Sequence, residues 1–482
     1  MNMLRTSTLQ QLETPRPNRR EWLAHSATGL GGIALAWLLQ SEQAQAAGQR
    51  PAVHFPAKAQ RVIHIFSPGG VSHVDTFDYR PELERLDGKS LEGKGEIDTF
   101  FAKPGVLRKS FYPFRQHGEC GAWVSDLLPQ LATCVDDLTL LKAMVAKSPS
   151  HTPACFQMNT GFTLAGFPSL GAWLSYGLGR VSDELPTFVV LPDPRGLVNG
   201  GSANWSNGFL PAEHQGSLFN MSQAEPVSHL GTPASITTAQ RSAGMQLVSQ
   251  LNGDFAAQDP QDTALAARLR AYELAARMQT SIPEALKLND ESAETRQLYG
   301  LDDPGVGPSA RNFLLARRLV ERGVRFVQVY NGGALGSPRI NWDAHENVKD
   351  NHDRQAQLLD RPCAALLKDL KQRGLLQDTL VIWSTEFGRT PFTQGEAGLG
   401  RDHHQHVFTC WLAGAGLKPG FTWGASDEVG YRPAENPTTI YDFHATILHL
   451  LGLDHKRLTF LHNGLQRRIT DVHGNVVREI LA

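Results

Sequence analysis

The chain has 482 residues, 41% of them hydrophobic and 20% charged, with 45 glycines, 28 prolines and a formal charge of −2. That balance excludes a mainly disordered or fibrous chain and supplies no basic field for nucleic acid or an anionic membrane surface. The five cysteines (Cys120, Cys134, Cys155, Cys363 and Cys410) are odd in number and lack CxxC spacing, which excludes a zinc-finger or disulfide framework. They read as buried thiols, with Cys120 and Cys134 as the one pair able to bridge in an exported chain.

Residues 1–46 read as a targeting segment. Arg19 and Arg20 precede a weakly apolar stretch from Ser26 to Leu39, and Ala44-Gln45-Ala46 offers a small-residue cleavage site. The twin arginine resembles a Tat signal, which delivers folded proteins to the periplasm or the exterior. The apolar stretch is too short for a hydrocarbon core that takes about 20 helical residues to cross. No integral span is therefore expected after cleavage.

RVIHIFSPGG (61–70) and LPTFVVLPD (185–193) follow as strands apolar on both faces. From about 195 to 300 the texture turns to Gly, Asn, Ser and Gln-rich loops and then a helix candidate, TALAARLRAYELAARMQT, read together as an insertion or cap. FLLARRLVERGVRFVQVYNGG and CAALLKDLKQRGLLQDTLVIWSTEFG each give an amphipathic helix, a glycine and a β-branched strand. Helices alternating with doubly buried strands predict an α/β fold of three layers, a mostly parallel sheet covered on both faces. One domain is expected over 58–482, and ligands belong at the carboxyl ends of its strands.

Polar clusters gather there. SHVDTFD places His73, Asp75 and Asp78 after the first strand; NWDAHENVKDNHD supplies Asp343, His345 and His352; STEFGRTP supplies Glu386 and Arg389. GRDHHQHVF sets Asp402, His403, His404 and His406 before the apolar run VFTCWLAGAG, which reaches the same rim if that strand runs antiparallel. Mixed carboxylates and imidazoles favour Zn, Mn or Fe over Ca, which takes oxygen alone. One or two divalent ions are expected, Zn or Mn ahead of Ca.

The ordered motifs GGVSHVDTFD, SHTPACFQMNTG, NWDAHEN, TLVIWSTEFGRTP and GRDHHQHVFTCWLAGAGLKPG resemble the domain-of-unknown-function family 1501, and more distantly the alkaline phosphatase and sulfatase superfamily. NPTTIYDFHATILHLLGL is similar to a helix near the end of sulfatases, with Asp442, Thr446 and Gly452 at its marked positions. The resemblance implies metal ligands at Asp75, with Asp78 or His73 in support, at Asp343, His345 and Glu386, and at His403 or its rival His404. It departs where sulfatases carry Cys-x-Pro-Ser-Arg: here HTPAC puts His151 at the nucleophile position, flanked by Ser150 and Thr152. Formylglycine chemistry is not expected. The nucleophile is Ser150, Thr152 or water, with His151 as acid/base or ligand and Arg389 neutralising charge. The expected activity is hydrolysis of a phosphate or sulfate ester on a small molecule or glycan. The alternative is an inactive metal-binding or structural protein on the same fold.

Overall fold

Strand β1 (Arg61–Phe66) alternates its side chains between two separate cores, which makes a continuous apolar run out of what would be an alternating pattern in a one-sided sheet. Ile63 and Ile65 enter one core, Val62 and Phe66 the other. The computed structural model describes residues 53–90, 97–100, 103–182, 184–227, 235–258, 269, 282–334, 339–395 and 398–482. Pro51–Ala482 is one compact unit. The targeting segment lies outside the described residues, as does nearly all of TALAARLRAYELAARMQT.

In chain order the strands that matter are β1, β2 (Pro104–Leu107), β3 (Leu138–Val145), β4 (Phe188–Leu191), β5 (Ser217–Leu218), β6 (Phe326–Tyr330), β7 (Thr379–Ser384), β8 (Gly388–Gln394), β9 (Arg401–His404), β10 (Phe408–Ala413), β11 (Phe421–Trp423) and β12 (Thr438–Thr439). The main sheet runs β11-β3-β10-β7-β1-β6-β4-β5, with β12 also on β3. Ile65 lies opposite Val329 on one side and Trp383 on the other, both parallel. The exception to parallel order is β10, antiparallel to β7 and β3, with Trp411 opposite Trp383. Its entry therefore lies at the rim where β1, β6 and β7 end. A small antiparallel sheet, β9-β8-β2, stands at that rim.

Helices α3 (Gly307–Glu321) and α4 (Val348–Gln372) fill one core through Phe313, Leu314, Leu359 and Leu366. Helices α1 (His151–Thr160), α2 (Leu170–Leu178) and α5 (Ile440–Leu450) fill the other through Ala154, Trp173, Phe443 and Ile447. The three-layer α/β architecture with a mostly parallel sheet follows. At the start of α5, Thr439 and Asp442 form a reciprocal capping box, which gives Asp442 a local structural role.

The segment 195–300 is woven into both cores: Trp205 and Leu210 enter one, Phe219 and Tyr299 the other, and β5 extends the sheet edge. It also carries a helix that the sequence reading did not anticipate, Thr238–Gln258, with Leu247, Leu251 and Phe255 exposed. Its two glycines and many Ser and Gln residues mask the helical period. All five cysteines are free, and only Cys120 is exposed.

Candidate metal centre

Four acceptor atoms converge at the carboxyl rim. His151 is the first residue of α1, Asp343 and His345 lie in the loop between β6 and α4, and His403 lies on β9. One nitrogen or oxygen from each lies within 4.8 Å of all the others. His345 Nε2 is 2.8 Å from His403 Nε2 and 2.9 Å from Asp343 Oδ1. His151 Nε2 and His403 Nε2 stand 3.4 and 3.5 Å from the same oxygen. An ion with metal–nitrogen distances of about 2.0–2.1 Å in tetrahedral geometry separates its donors by roughly 3.3 Å, so the spacing suits one ion.

Two glycines let neighbouring chain clamp the Asp343–His345 loop. Gly69, at φ +117, lies so close that a Cβ would sit 2.4 Å from Trp342 N; at Gly400 a Cβ would sit 1.7 Å from His345 O. Backbone bonds from Trp342 N to Pro68 O (2.9 Å) and Arg401 N to Ala344 O (3.0 Å) close the clamp.

The far nitrogen of every ring faces an acceptor. His151 Nδ1 meets Glu386 Oε1 at 2.6 Å, His403 Nδ1 meets Pro149 O at 2.6 Å, and His345 Nδ1 meets Gln394 Oε1 at 2.5 Å. Carbonyl and carboxylate oxygens only accept, so each Nδ1 donates and each neutral ring turns its Nε2 lone pair inward. His151 Nε2 is buried with no hydrogen-bond partner. Three lone pairs and a carboxylate oxygen facing one another repel unless a cation or protons lie between them. Burial pushes His403 down to about 2. Burial opposes ionisation of Asp343, but Arg389 and the three imidazoles outweigh it and hold its carboxyl far below the usual range. For His151 burial is again opposed and outweighed, by Asp343 and Glu386, which raise it.

The remaining candidates lie elsewhere. Asp75, expected as a ligand, is fully buried and accepts from Arg401 Nε at 2.8 Å, Phe111 N at 2.9 Å and Ser72 Oγ at 2.5 Å. Asp78 is paired with Arg80 and Ser426. His404, next to His403 on a strand, faces the other way and bonds Tyr431 O at 2.6 Å. Glu386 stays outside the four: its oxygens accept from Gly69 N (2.8 and 3.1 Å) as well as His151. It is an orienting group behind the ring.

Arg389 was expected to meet developing charge, yet its donors are taken by Gly69 O, Gly70 O, Arg401 O and Asp343 Oδ1, and it is fully buried. It holds Asp343. Ser150 is the N-cap of α1, and Thr152 lies about 100° around the helix from His151; among the described residues neither hydroxyl bonds to the four. His73 faces Gly430 O, His352 faces Ser72 N, and His406 faces Asp98. Asp402 turns back onto His403 N and Phe100 N. Gln394, Pro149 and Arg339, whose Nη1 lies 2.9 Å from Asp343 Oδ2, complete the surroundings; no sequence pattern marks them. A cavity of about 510 Å³ lined by Lys147, Tyr441, Lys456 and His473 contains none of the four. Converging acceptors define the centre better than empty space does.

A family model described as "Protein of unknown function (DUF1501)" matches residues 59–481. No curated protein matches the sequence. Among solved structures the chain is similar to a phosphonate monoester hydrolase from Silicibacter pomeroyi, at 12% identity and TM-score 0.35 over 73% of this chain and 71% of that one. It is similar to a sulfatase from Pseudoalteromonas sp., at 12% identity and TM-score 0.33 over 91% and 72%. It is also similar to the C-terminal periplasmic domain of EcEptC from Escherichia coli in complex with Zn, at 11% identity and TM-score 0.34 over 85% and 87%.

Proposed function

The chain belongs to the DUF1501 family of proteins of unknown function, and we propose that it is an exported metal-dependent hydrolase of phosphate or sulfate esters. The observation that carries this reading is the convergence of His151, Asp343, His345 and His403 on one point, each ring oriented from behind. Three nitrogens and one carboxylate oxygen suit Zn, Mn or Fe and not Ca. The centre lies at the carboxyl ends of β1, β6 and β7, where open α/β sheets hold their ligands.

A bound divalent ion supplies Lewis acidity, polarising an ester oxygen and bringing the pKa of water from 15.7 toward about 7. The chain's residues do the rest. Asp343, His345, His403 and His151 hold the ion, Glu386 fixes the His151 tautomer, and Arg389 keeps Asp343 ionised. Because among the described residues no Ser, Thr or Cys side chain hydrogen-bonds to the four, water is the attacking group, and formylglycine has no place here. The substrate class is an anionic ester, sulfated or phosphorylated, on a glycan or small molecule. A periplasmic or extracellular location follows from the twin-arginine segment; among the described residues no helix is long and apolar enough to cross a membrane.

One observation favours a second reading, a metal-binding protein without turnover. Four chain donors saturate a tetrahedral ion, as in structural sites, whereas catalytic zinc keeps three and an open position. Metal analysis of the purified protein, then aryl phosphate, phosphodiester and aryl sulfate assays with Zn²⁺ or Mn²⁺, separates the two. Metal-dependent turnover supports the hydrolase. Full metal occupancy with no turnover supports the second reading, and absence of any bound metal sinks both.

A further inference from the structure

We infer that His151 is a shutter: held by Glu386, it occupies the coordination position that water or substrate takes in a three-donor catalytic centre. The inference rests on the metal reading above and deepens it.

The four donors are not equivalent. Asp343, His345 and His403 sit on a clamped loop and a strand, with donor atoms 2.8, 2.9 and 3.5 Å apart, so it is the supporting element and not the spacing that sets His151 apart. Two imidazoles and a carboxylate are by themselves a complete catalytic set, of the kind that leaves a fourth position open. His151 comes from a different element, the first turn of α1, and stands 3.4 Å from Asp343 Oδ1. Its Nε2 is buried and makes no hydrogen bond, so the ring is not placed there by a bond on its inner side. What places it is outside: the 2.6 Å bond to Glu386, which is itself fully buried and tied to Gly69 N.

The backbone of α1 is fixed by Ala154, Cys155 and Met158, all buried in the core. Opening the centre therefore means rotating the His151 side chain away from Glu386, not moving the helix. Phe387 packs against both His151 and His403 with ring centroids at 4.8 Å, so an apolar ring borders the occupied position. Glu386 is accordingly a positioning residue, acting on the centre only through His151.

Cobalt(II) is the probe, because its visible spectrum reports coordination number and ligand exchange without any turnover. Wild type, His151→Gly and Glu386→Gln are loaded with Co²⁺, quantified by elemental analysis, and titrated with azide and with imidazole. The wild-type spectrum should stay constant. His151→Gly should retain Co²⁺ on three donors and respond to azide at concentrations at least about tenfold lower than any wild-type response. Imidazole should return its spectrum toward that of wild type by refilling the place of the lost ring. Glu386→Gln, whose neutral Oε1 can still accept from His151 Nδ1 and Gly69 N but gives up the negative charge behind the ring, should lose about 10–100-fold in Co²⁺ affinity and admit azide. A wild-type spectrum that shifts with azide as readily as that of His151→Gly overturns the shutter while leaving the metal reading intact. So does a His151→Gly spectrum identical to wild type before any addition. Failure of wild type to bind Co²⁺ overturns the metal reading and the shutter with it.

Discussion

Asp75→Asn separates two roles that predict opposite outcomes. As a metal ligand, Asp75 would matter to ion affinity and little to the ion-free fold. The structure instead puts it in a fully buried pair with Arg401, whose other donors go to Thr390 O, Arg108 O and Lys109 O. Asn can still accept from Phe111 N, but its amide group then faces the Arg401 Nε–H, donor against donor, and the guanidinium keeps its charge with no counter-charge. Breaking one side of a buried pair costs about 3–5 kcal/mol. At about 2.1 cal/mol/K of unfolding entropy per residue over the 51–482 unit, 1 kcal/mol moves Tm by roughly 1 °C, so a drop of about 3–6 °C is expected. Burial opposes ionisation of Asp75 and Arg401 overcomes it, leaving its pKa lowered. The pair's stabilisation is therefore present above the unfolded carboxyl value of about 3.9 and is lost as pH falls through the lower folded value. Calorimetry of wild type and variant from pH 7 down to about 2, where the difference between them should shrink, with Zn²⁺ titrations of both at pH 7, tests this. A variant with unchanged Tm and lost Zn²⁺ binding refutes it.

Three further outcomes are expected. Asp360 is pushed up to about 6 by burial, which its bonds from Gln130 N and Leu131 N only partly offset. A raised acid stabilises the protonated fold, so wild type should lose about 3 kcal/mol as pH rises from 4 through 6, and denaturant unfolding of Asp360→Asn should lack that decline. In the ion-free centre His151 is raised by Asp343 and Glu386, so an incoming ion displaces a proton. Zn²⁺ affinity should fall about tenfold per pH unit on the acid side, measured by calorimetric titration, with a shallower slope in His151→Gly. Arg389→Met strands three backbone carbonyls, at about 1–3 kcal/mol each, and frees Asp343; both Tm and Zn²⁺ affinity should drop, and loss of only one would contradict its double attachment.

Much of the layer structure was legible because doubly buried strands and amphipathic helices leave unmistakable periods in RVIHIF, LVIWS and LLARRLVE. The rim clusters were legible too, since loops after parallel strands converge there. Which member of each cluster turns inward was not. His403 and His404 are adjacent on β9, and strand alternation sends them to opposite sides; the pairing of His403 with Arg389 that selects the parity is a register between strands. Asp75 answers to Arg401, a partner 326 positions away. Glu386 was read as a ligand because it follows a strand end, but the approach of Gly69 and the start of α1 leave its carboxylate behind His151.

From the order of residues alone came the doubly covered parallel sheet, the family, and the short list of acids and imidazoles at its rim, because burial period and local spacing are written along the chain. The choice of His151, Asp343, His345 and His403 from that list was made in space. Donor atoms only a few ångströms apart are brought together by loop clamps, strand register and one helix start, and those contacts exist only once the chain has closed on itself.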